Sequence, residues 1–183
     1  RPGGRVRLFG DDGRTVGTDV PGEIVSIGPE LFKGYLDPAH NEAAFAQDGW
    51  FHTGDIGQLD AEGYLRIVDR KKDIIIRGGE NISSKEVEDT LVLHPGIAEA
   101  AVVAWPDPRM GERVGAFVRL KESATLTIDD VAAHFRAAGI ARQKTPERLV
   151  IVDDFPRTPA GKILKTELRE RVRSLAAQEK DPA

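Results

Sequence analysis

Apolar residues recur along the chain with two different periods, and together these periods predict an α+β protein. Short runs rich in β-branched residues and bounded by Gly, Asp or Pro are typical of strands. Segments 56–59 and 64–68 flank the turn sequence Asp60-Ala61-Glu62-Gly63 and predict a hairpin. The predicted strands are 6–9, 22–28, 56–59, 64–68, 74–76, 100–105, 114–121 and 149–152.

Apolar residues spaced three or four positions apart predict four helices. Pro38 favours a helix start, because its missing N–H would have no partner there in any case. Ser83 with Glu86, and Thr127 with Asp130, have the spacing of capping boxes. The predicted helices are 37–45, 84–93, 127–138 and a last one that begins near Lys162.

The charged run Arg70-Lys71-Lys72-Asp73 separates two regions of different character. Residues 1 to about 69 alternate strands and turns, which predicts part of a small β-barrel-like sheet with one helix. The residues after the run mix strands with helices and predict a short central sheet flanked by helices, with its own core. Such a run is usually a solvated connection, but a short segment between two lobes can also be a hinge.

Composition excludes several classes of function. A net charge of −4 offers no field that would attract nucleic acid, and the absence of cysteine excludes disulfides and thiolate metal sites. No apolar run approaches the roughly 20 residues of a membrane helix, and the first residues do not resemble a signal peptide. We therefore expect a cytoplasmic protein. The start at Arg1 rather than Met favours a piece of something longer.

Thr53-Gly54-Asp55 is the first candidate for chemistry. An Asp held after a Thr-Gly turn presents two acceptor oxygens at a defined point, which suits vicinal ribose hydroxyls. Asp more commonly accepts a hydrogen bond within its own turn, and that alternative stays open.

Two glycine-containing loops are the other candidates. Gly78-Gly79 allows the backbone to approach a ligand closely, or simply forms a tight turn. Lys162 follows the Pro-rich segment 156–161, and at a helix start it would oppose the preference for anions there. This conflict favours a role in neutralising a phosphate or carboxylate, although most lysines are simply surface residues. Neither loop has the spacing of a dinucleotide-binding or Walker motif.

In this order and spacing, the segments resemble the C-terminal part of the adenylate-forming superfamily. This superfamily includes acyl-CoA synthetases, nonribosomal-peptide adenylation domains and firefly-type luciferases. The resemblance covers nearly the whole chain and is closest to the acyl-CoA synthetases. It rests on GWFHTGD (49–55), GYLRIVDRKKDIIIRGGENIS (63–83) and PRTPAGKILKTELR (156–169), with weaker support from GEIVSIGPELFKGYL (22–36).

The resemblance implies a two-step ligase in which a carboxylic acid and ATP give an acyl-adenylate, and CoA then displaces AMP. Residues 1–71 would be the end of the N-terminal AMP-binding domain, and residues 72–183 the mobile C-terminal domain. Lys162 would be the adenylation lysine and Lys72 the hinge. Asp55 and Arg70 would contact the ribose or phosphate of the nucleotide. The CoA contacts would come from the loop Gly78, Gly79 and Glu80, in which Gly79 lines the pantetheine tunnel.

The implied ligands are ATP, CoA and Mg²⁺, held mainly by the larger N-terminal lobe, so the chain alone should be inactive. The acid stays open among fatty, aryl and alicyclic acids, with fatty acid metabolism the first expectation. Two alternatives remain: an adenylating enzyme with another acceptor, such as a carrier-protein thiol or dioxygen, and a noncatalytic domain with the same fold. Lys165 and Gln143 depart from the family pattern, which often has arginine and an aromatic residue there.

Overall fold

The computed structural model describes residues 3–46 and 48–180, and the chain divides into two compact units, Arg1–Lys72 and Asp73–Ala183. The first unit contains a four-stranded antiparallel sheet with the strands in sequence order. One short helix, α1 (Ala39–Ala44), follows the second strand. The strands are β1 (Arg5–Phe9), β2 (Gly22–Ile27), β3 (Phe51–Leu59) and β4 (Leu65–Arg70).

The first sheet buries apolar side chains of β1 and β2. Leu8, Val25 and Trp50 are almost fully buried, and the Phe9 and Trp50 rings lie 6.0 Å apart. The predicted hairpin between β3 and β4 is confirmed. Its turn is closed by Asp60, whose Oδ1 accepts hydrogen bonds from the backbone N–H groups of Glu62 and Tyr64.

The second unit is built on a five-stranded sheet in the order β6-β5-β8-β7, with β9 parallel to β8. Its longest strands, β7 and β8, form one antiparallel ladder. The strands are β5 (Ile75–Arg77), β6 (Glu80–Ile82), β7 (Ile97–Asp107), β8 (Gly111–Leu120) and β9 (Arg148–Ile151). The helices are α2 (Ser84–Val92), α3 (Ile128–Ala137) and α4 (Lys165–Lys180).

Helices cover both faces of this sheet, which confirms the predicted α+β fold with a central sheet flanked by helices. Alternate residues of β7 and β8 point to opposite faces, because the side-chain period of a strand is two. Val102 and Val118 pack with residues of α2 and α3. Ala101 and Phe117 pack with Leu168 and other residues of α4.

The predicted helix caps are present. The Ser83 side chain accepts a hydrogen bond from the backbone N–H of Glu86, and Thr127 with Asp130 forms a complete capping box. These bonds satisfy donors that a helix start would otherwise leave unpaired.

Two predicted boundaries were wrong, and one strand was missed. β3 begins at Phe51, so residues 52–55 lie within a strand rather than a preceding turn; pairing with β2 extends the strand past Gly54. The strand β6 was missed, because it is short and mostly polar. The last helix begins at Lys165, three residues after Lys162, because an isolated bridge between Arg157 and Ile163 closes a turn first.

Candidate active site

Asp55 and Arg70, the two predicted nucleotide contacts, lie opposite each other on β3 and β4. Arg70 Nε is 2.8 Å from Asp55 Oδ1, and both side chains are partly exposed. The ion pair is close but poorly aligned, so among the described residues no acceptor receives a hydrogen bond from Arg70 Nε. The pair thus brings a carboxylate and a guanidinium together at the surface of the first unit.

The backbone around Asp55 is shaped by its neighbours. Thr53 Oγ1 donates to the carbonyl of Ile24 (2.8 Å) and accepts from the backbone N–H of Asp55 (3.1 Å). Gly54 between them has a left-handed φ of +73°, which favours glycine. The local hydrogen bond therefore uses the Asp55 backbone and leaves its carboxylate to Arg70.

Lys72, the predicted hinge, lies in the 3-10 turn Lys71–Asp73 at the boundary of the two units. Gly54, Arg70, Lys71 and Lys72 line a shallow cavity of about 350 Å³. Lys71 Nζ donates to Glu23 Oε2 at 2.9 Å, and His52 Nδ1 lies equally close to the same oxygen. Burial alone would raise the pKa of Glu23, but hydrogen bonds from Lys71 and His52 outweigh it and lower the pKa.

The two predicted loop glycines form the turn of a hairpin in the second unit. Gly78 and Gly79 both have positive φ, +58° and +87°, as the central residues of a type I′ turn require. Three residue pairs join β5 to β6 behind the turn, and Arg77 pairs with Glu80. Gly78, Gly79 and Glu80 are exposed, so this hairpin presents backbone to the surroundings.

The turn between β7 and β8 supports this hairpin. The backbone N–H of Gly78 donates to the carbonyl of Met110 at 2.8 Å. A Cβ atom on Gly78 would lie 2.6 Å from Met110 Cε, whereas one on Gly79 would have nothing within 4 Å. The space beside Gly79 is therefore open.

An ion-pair cluster of Arg77, Glu147, Arg113 and Asp107 flanks the hairpin; we call it the hairpin cluster. Arg77 donates two hydrogen bonds to the Glu147 carboxylate, at 2.8 and 3.1 Å. These bonds raise the pKa of Arg77, to which the charge of Glu80 also contributes, and lower the pKa of Glu147. Sequence reasoning missed this pair, because its residues are seventy positions apart.

A groove of about 790 Å³ adjoins the hairpin cluster. Arg77, Arg136 and Arg142 line it together with Gln143, one of the two departures noted from the family pattern. Arg77 is already paired with Glu147, which also lines the groove, whereas the guanidinium groups of exposed Arg136 and Arg142 suit anionic groups such as phosphates.

Lys162 lies at the end of a tight turn, not at a helix start. The backbone N–H of Thr158 donates to the Lys162 carbonyl, and that of Gly161 to the Thr158 carbonyl, both at 2.8 Å. Gly161 has a left-handed φ of +83°. The helix-dipole argument for Lys162 was therefore wrong, although the side chain is exposed at the tip of a well-defined loop.

A second ion-pair cluster, Arg157 with Glu99, Arg119 and Asp154, holds this loop; we call it the lysine-loop cluster. Arg157 donates to both oxygens of Glu99, at 2.7 and 2.8 Å, and to the carbonyl of Gly161 at 3.1 Å. Arg119 on β8 donates to the same Glu99 carboxylate. Hydrogen bonding to Arg157, aided by Arg119, lowers the pKa of Glu99.

Lys165, where the family often has arginine, opens α4 and is part of an internal network. Its Nζ lies 2.7 Å from Glu88 Oε1, 2.9 Å from Ser84 Oγ and 3.9 Å from Asp73 Oδ2. Arg169 pairs with the same Asp73. This departure therefore keeps a cation that ties the start of α4 to α2 and to the beginning of the second unit.

The two loops lie at opposite ends of the β7–β8 ladder. Glu99 pairs with Arg119 at one end of the ladder, and Asp107 pairs with Gly111 at the other. These positions on β7 are eight residues apart (107 minus 99). At about 3.4 Å per residue, the separation along the strand is about 27 Å.

Residues 3–46 and 48–180 contain no group of three or more His, Cys, Asp or Glu side chains placed to hold a metal ion. None of the helices in this part of the chain is long and apolar enough to cross a bilayer.

Known proteins match this chain in sequence and in structure. Residues 86–162 match the family of the AMP-binding enzyme C-terminal domain. The medium-chain fatty-acid–CoA ligase of Escherichia coli K12 is 44% identical over 172 residues, covering 93% of this chain and 30% of the ligase. ATP-bound MatB from Rhodopseudomonas palustris has a TM-score of 0.86 at 35% identity, covering 96% of this chain and 35% of MatB.

A further solved structure is o-succinylbenzoate CoA synthetase (MenE) from Bacillus subtilis in complex with the acyl-adenylate intermediate OSB-AMP. It has a TM-score of 0.80 at 34% identity, covering 92% of this chain and 34% of MenE. The chain spans about a third of the length of the relatives it matches. It belongs to the adenylate-forming enzymes and corresponds to their C-terminal region, which confirms the family expected from its motifs.

Proposed function

We propose that this chain is the C-terminal part of an ATP-dependent acyl-CoA synthetase. The reaction joins a carboxylic acid to CoA through an acyl-adenylate and releases AMP and pyrophosphate. Residues 1–71 are the end of the AMP-binding domain, and residues 72–183 are a mobile domain that turns about Lys72.

The observation that carries the proposal is the separation of the two loops. Lys162 and Gly79 belong to one rigid sheet unit, yet their loops lie at ladder positions about 27 Å apart along β7. A single active site cannot receive both at once, so a two-step reaction that uses both requires the unit to reorient. The bound ATP in MatB and the acyl-adenylate in MenE support a two-step route through an adenylate.

Each site residue has a role that its surroundings permit. Exposed Lys162 stabilises the negative charge that develops when a carboxylate attacks the α-phosphate of ATP. Asp55 and Arg70 form a surface pair of acceptor and donor groups, which suits ribose hydroxyls and phosphate. Both side chains are partly exposed, so such a ligand can reach them.

The acceptor is CoA. The open space beside Gly79 leaves room for a narrow chain such as pantetheine, with Gly78 and Glu80 completing the loop. The adjoining groove, with Arg136 and Arg142, suits the phosphates at the other end of CoA.

The acid is of the fatty acid class, as the name of the Escherichia coli relative suggests. Mg²⁺ accompanies ATP on residues outside this chain, and the enzyme is cytoplasmic; both stay predictions.

The test uses the full-length protein that carries this chain, with octanoate first and then aryl and alicyclic acids. We expect acid-dependent exchange of pyrophosphate into ATP and CoA-dependent release of AMP. Lys162→Ala should reduce the exchange at least about 100-fold, because it removes the charge at the reacting groups. It should still convert preformed acyl-adenylate to thioester at close to the wild-type rate.

No exchange with any of these acids, or equal loss of both half-reactions in Lys162→Ala, would contradict the proposal. Thioester formation on a phosphopantetheinyl carrier protein in place of CoA would identify the other acceptor class. The 183-residue chain alone should release no AMP, because we place the acid pocket in the rest of the AMP-binding domain.

A further inference from the structure

We propose that the two ion-pair clusters position the two loops separately, so that either half-reaction can be weakened without the other. Glu99 and Arg157 are positioning residues for Lys162, and Arg77 and Glu147 are positioning residues for Gly79. This inference rests on the proposed two-step function and adds residues outside the loops themselves.

The lysine-loop cluster reaches the backbone next to Lys162. One guanidinium nitrogen of Arg157 donates to the carbonyl of Gly161, the residue before Lys162. The other terminal nitrogen donates to both carboxylate oxygens of Glu99. The Glu99 carboxylate belongs to β7 and also accepts from Arg119 on β8. Arg157 thus fixes a loop residue to the rigid ladder, through charge-assisted bonds of the stronger kind.

This support matters because the backbone hydrogen bonds of residues 156–164 close the loop on itself rather than on the sheet. One isolated bridge, Arg157 with Ile163, and a few turn hydrogen bonds close it. Among the described residues, Arg157 without Glu99 would keep Asp154, at 3.6 Å, as its anionic partner. The Lys162 ammonium would then sample more positions, and an error of about 1 Å can cost up to about 100-fold in rate.

The hairpin cluster has the same arrangement around Gly79. Arg77 is the residue before the Gly78-Gly79 turn, and its paired donors hold the Glu147 carboxylate, which precedes β9. Arg113 on β8 lies 3.7 Å from the same carboxylate. In each cluster, therefore, an arginine beside the loop (Arg157, or Arg77 at the end of β5) and an arginine of β8 share a glutamate.

The two clusters share no residue and lie near opposite ends of the ladder. Sites more than about 10 Å apart that share no partner behave nearly independently. Removing one glutamate charge should therefore leave the other loop in place.

The experiment compares Glu99→Gln with Glu147→Gln in the full-length protein, using the acid that supports the fastest pyrophosphate exchange. Glu99→Gln should slow exchange about 10-fold and change thioester formation from preformed acyl-adenylate less than about 2-fold. Glu147→Gln should show the reverse pattern. Asp89→Asn, which takes the carboxylate from an exposed Lys85–Asp89 pair on α2, is the control and should change neither rate.

Arg157→Lys separates positioning from folding. Lysine keeps the charge but cannot span Glu99 and Gly161 with a rigid fork, so exchange should fall by less than in Arg157→Met. Equal losses in both half-reactions for Glu99→Gln, or no loss in either, would overturn the inference. If Lys162→Ala shows the expected split while both glutamate variants do not, the positioning roles fail and the proposed function stands.

Discussion

The Gly78-Gly79 hairpin and the Lys162 loop belong to the same unit, but different parts of the chain hold them in place. Backbone pairing of β5 with β6 forms the hairpin, and the β7–β8 turn supports it. The Lys162 loop has one bridge, and the Arg157 side chain connects it to the sheet. The comparison teaches that a backbone surface can be built by a strand ladder, whereas a single exposed ammonium depends on side chains to orient its loop.

The largest expected effect tests the hairpin side of the comparison. Gly79→Trp in the full-length protein should slow thioester formation from acyl-adenylate by about 100-fold or more, because an indole would fill the open space beside this residue. Pyrophosphate exchange should stay within about 3-fold of wild type. Single-turnover kinetics with preformed acyl-adenylate measures the first rate.

Gly79→Ala is the control for backbone strain at this position. Its φ of +87° costs any side chain about 1 kcal/mol, without a bulky group to obstruct a ligand. If the alanine variant lost thioester formation as severely as the tryptophan variant, strain rather than obstruction would explain the loss.

The next effect concerns the groove beside the hairpin. Arg136→Glu combined with Arg142→Glu should raise the KM for CoA about 10-fold, since two attractive charges become repulsive toward phosphates. The KM for ATP should not change. Steady-state kinetics at two salt concentrations checks this, because the difference from wild type should shrink at high salt.

Removing a helix cap away from both loops should lower stability slightly without favouring either half-reaction. Thr127→Ala removes the capping box of α3 and should lower the free energy of unfolding of the 183-residue chain by about 1 kcal/mol. Urea denaturation measures this change. A loss confined to one half-reaction in the full-length variant would show that general destabilisation alone can produce the split assigned to Glu99 and Glu147.

The smallest effect is the pH dependence that the two clusters share. The pKa values of Glu99 and Glu147 lie below their ordinary value of 4.5, because arginine hydrogen bonds favour the carboxylate. Their stabilisation is therefore present above pH 4.5 and lost as the pH falls through the lower folded-state values. Each Gln variant should lose at most about 1 kcal/mol at pH 7, and this difference should shrink as the pH falls below 4.5. A difference independent of pH in urea denaturation would contradict the charge assignment.

Local patterns predicted much of the fold. Alternating β-branched runs located most strands, and Ser83, Thr127 and Asp130 marked helix starts, because capping and side-chain periodicity act within a few residues. The order of motifs also identified the family. Boundaries failed where a partner strand or a closing turn decided them, as at Phe51 and at Lys165.

By itself the sequence determined the α+β class, the family, and Lys162 and Gly79 as candidates within recognisable segments. Only the tertiary structure decided that their loops lie at opposite ends of one ladder, and that Glu99 and Glu147 contact the loop arginines. Glu99 and Arg157 are 58 positions apart, and Arg77 and Glu147 are 70 apart. No local rule connects such residues, because sheet pairing brings them together and hydrogen-bond geometry then selects the partners.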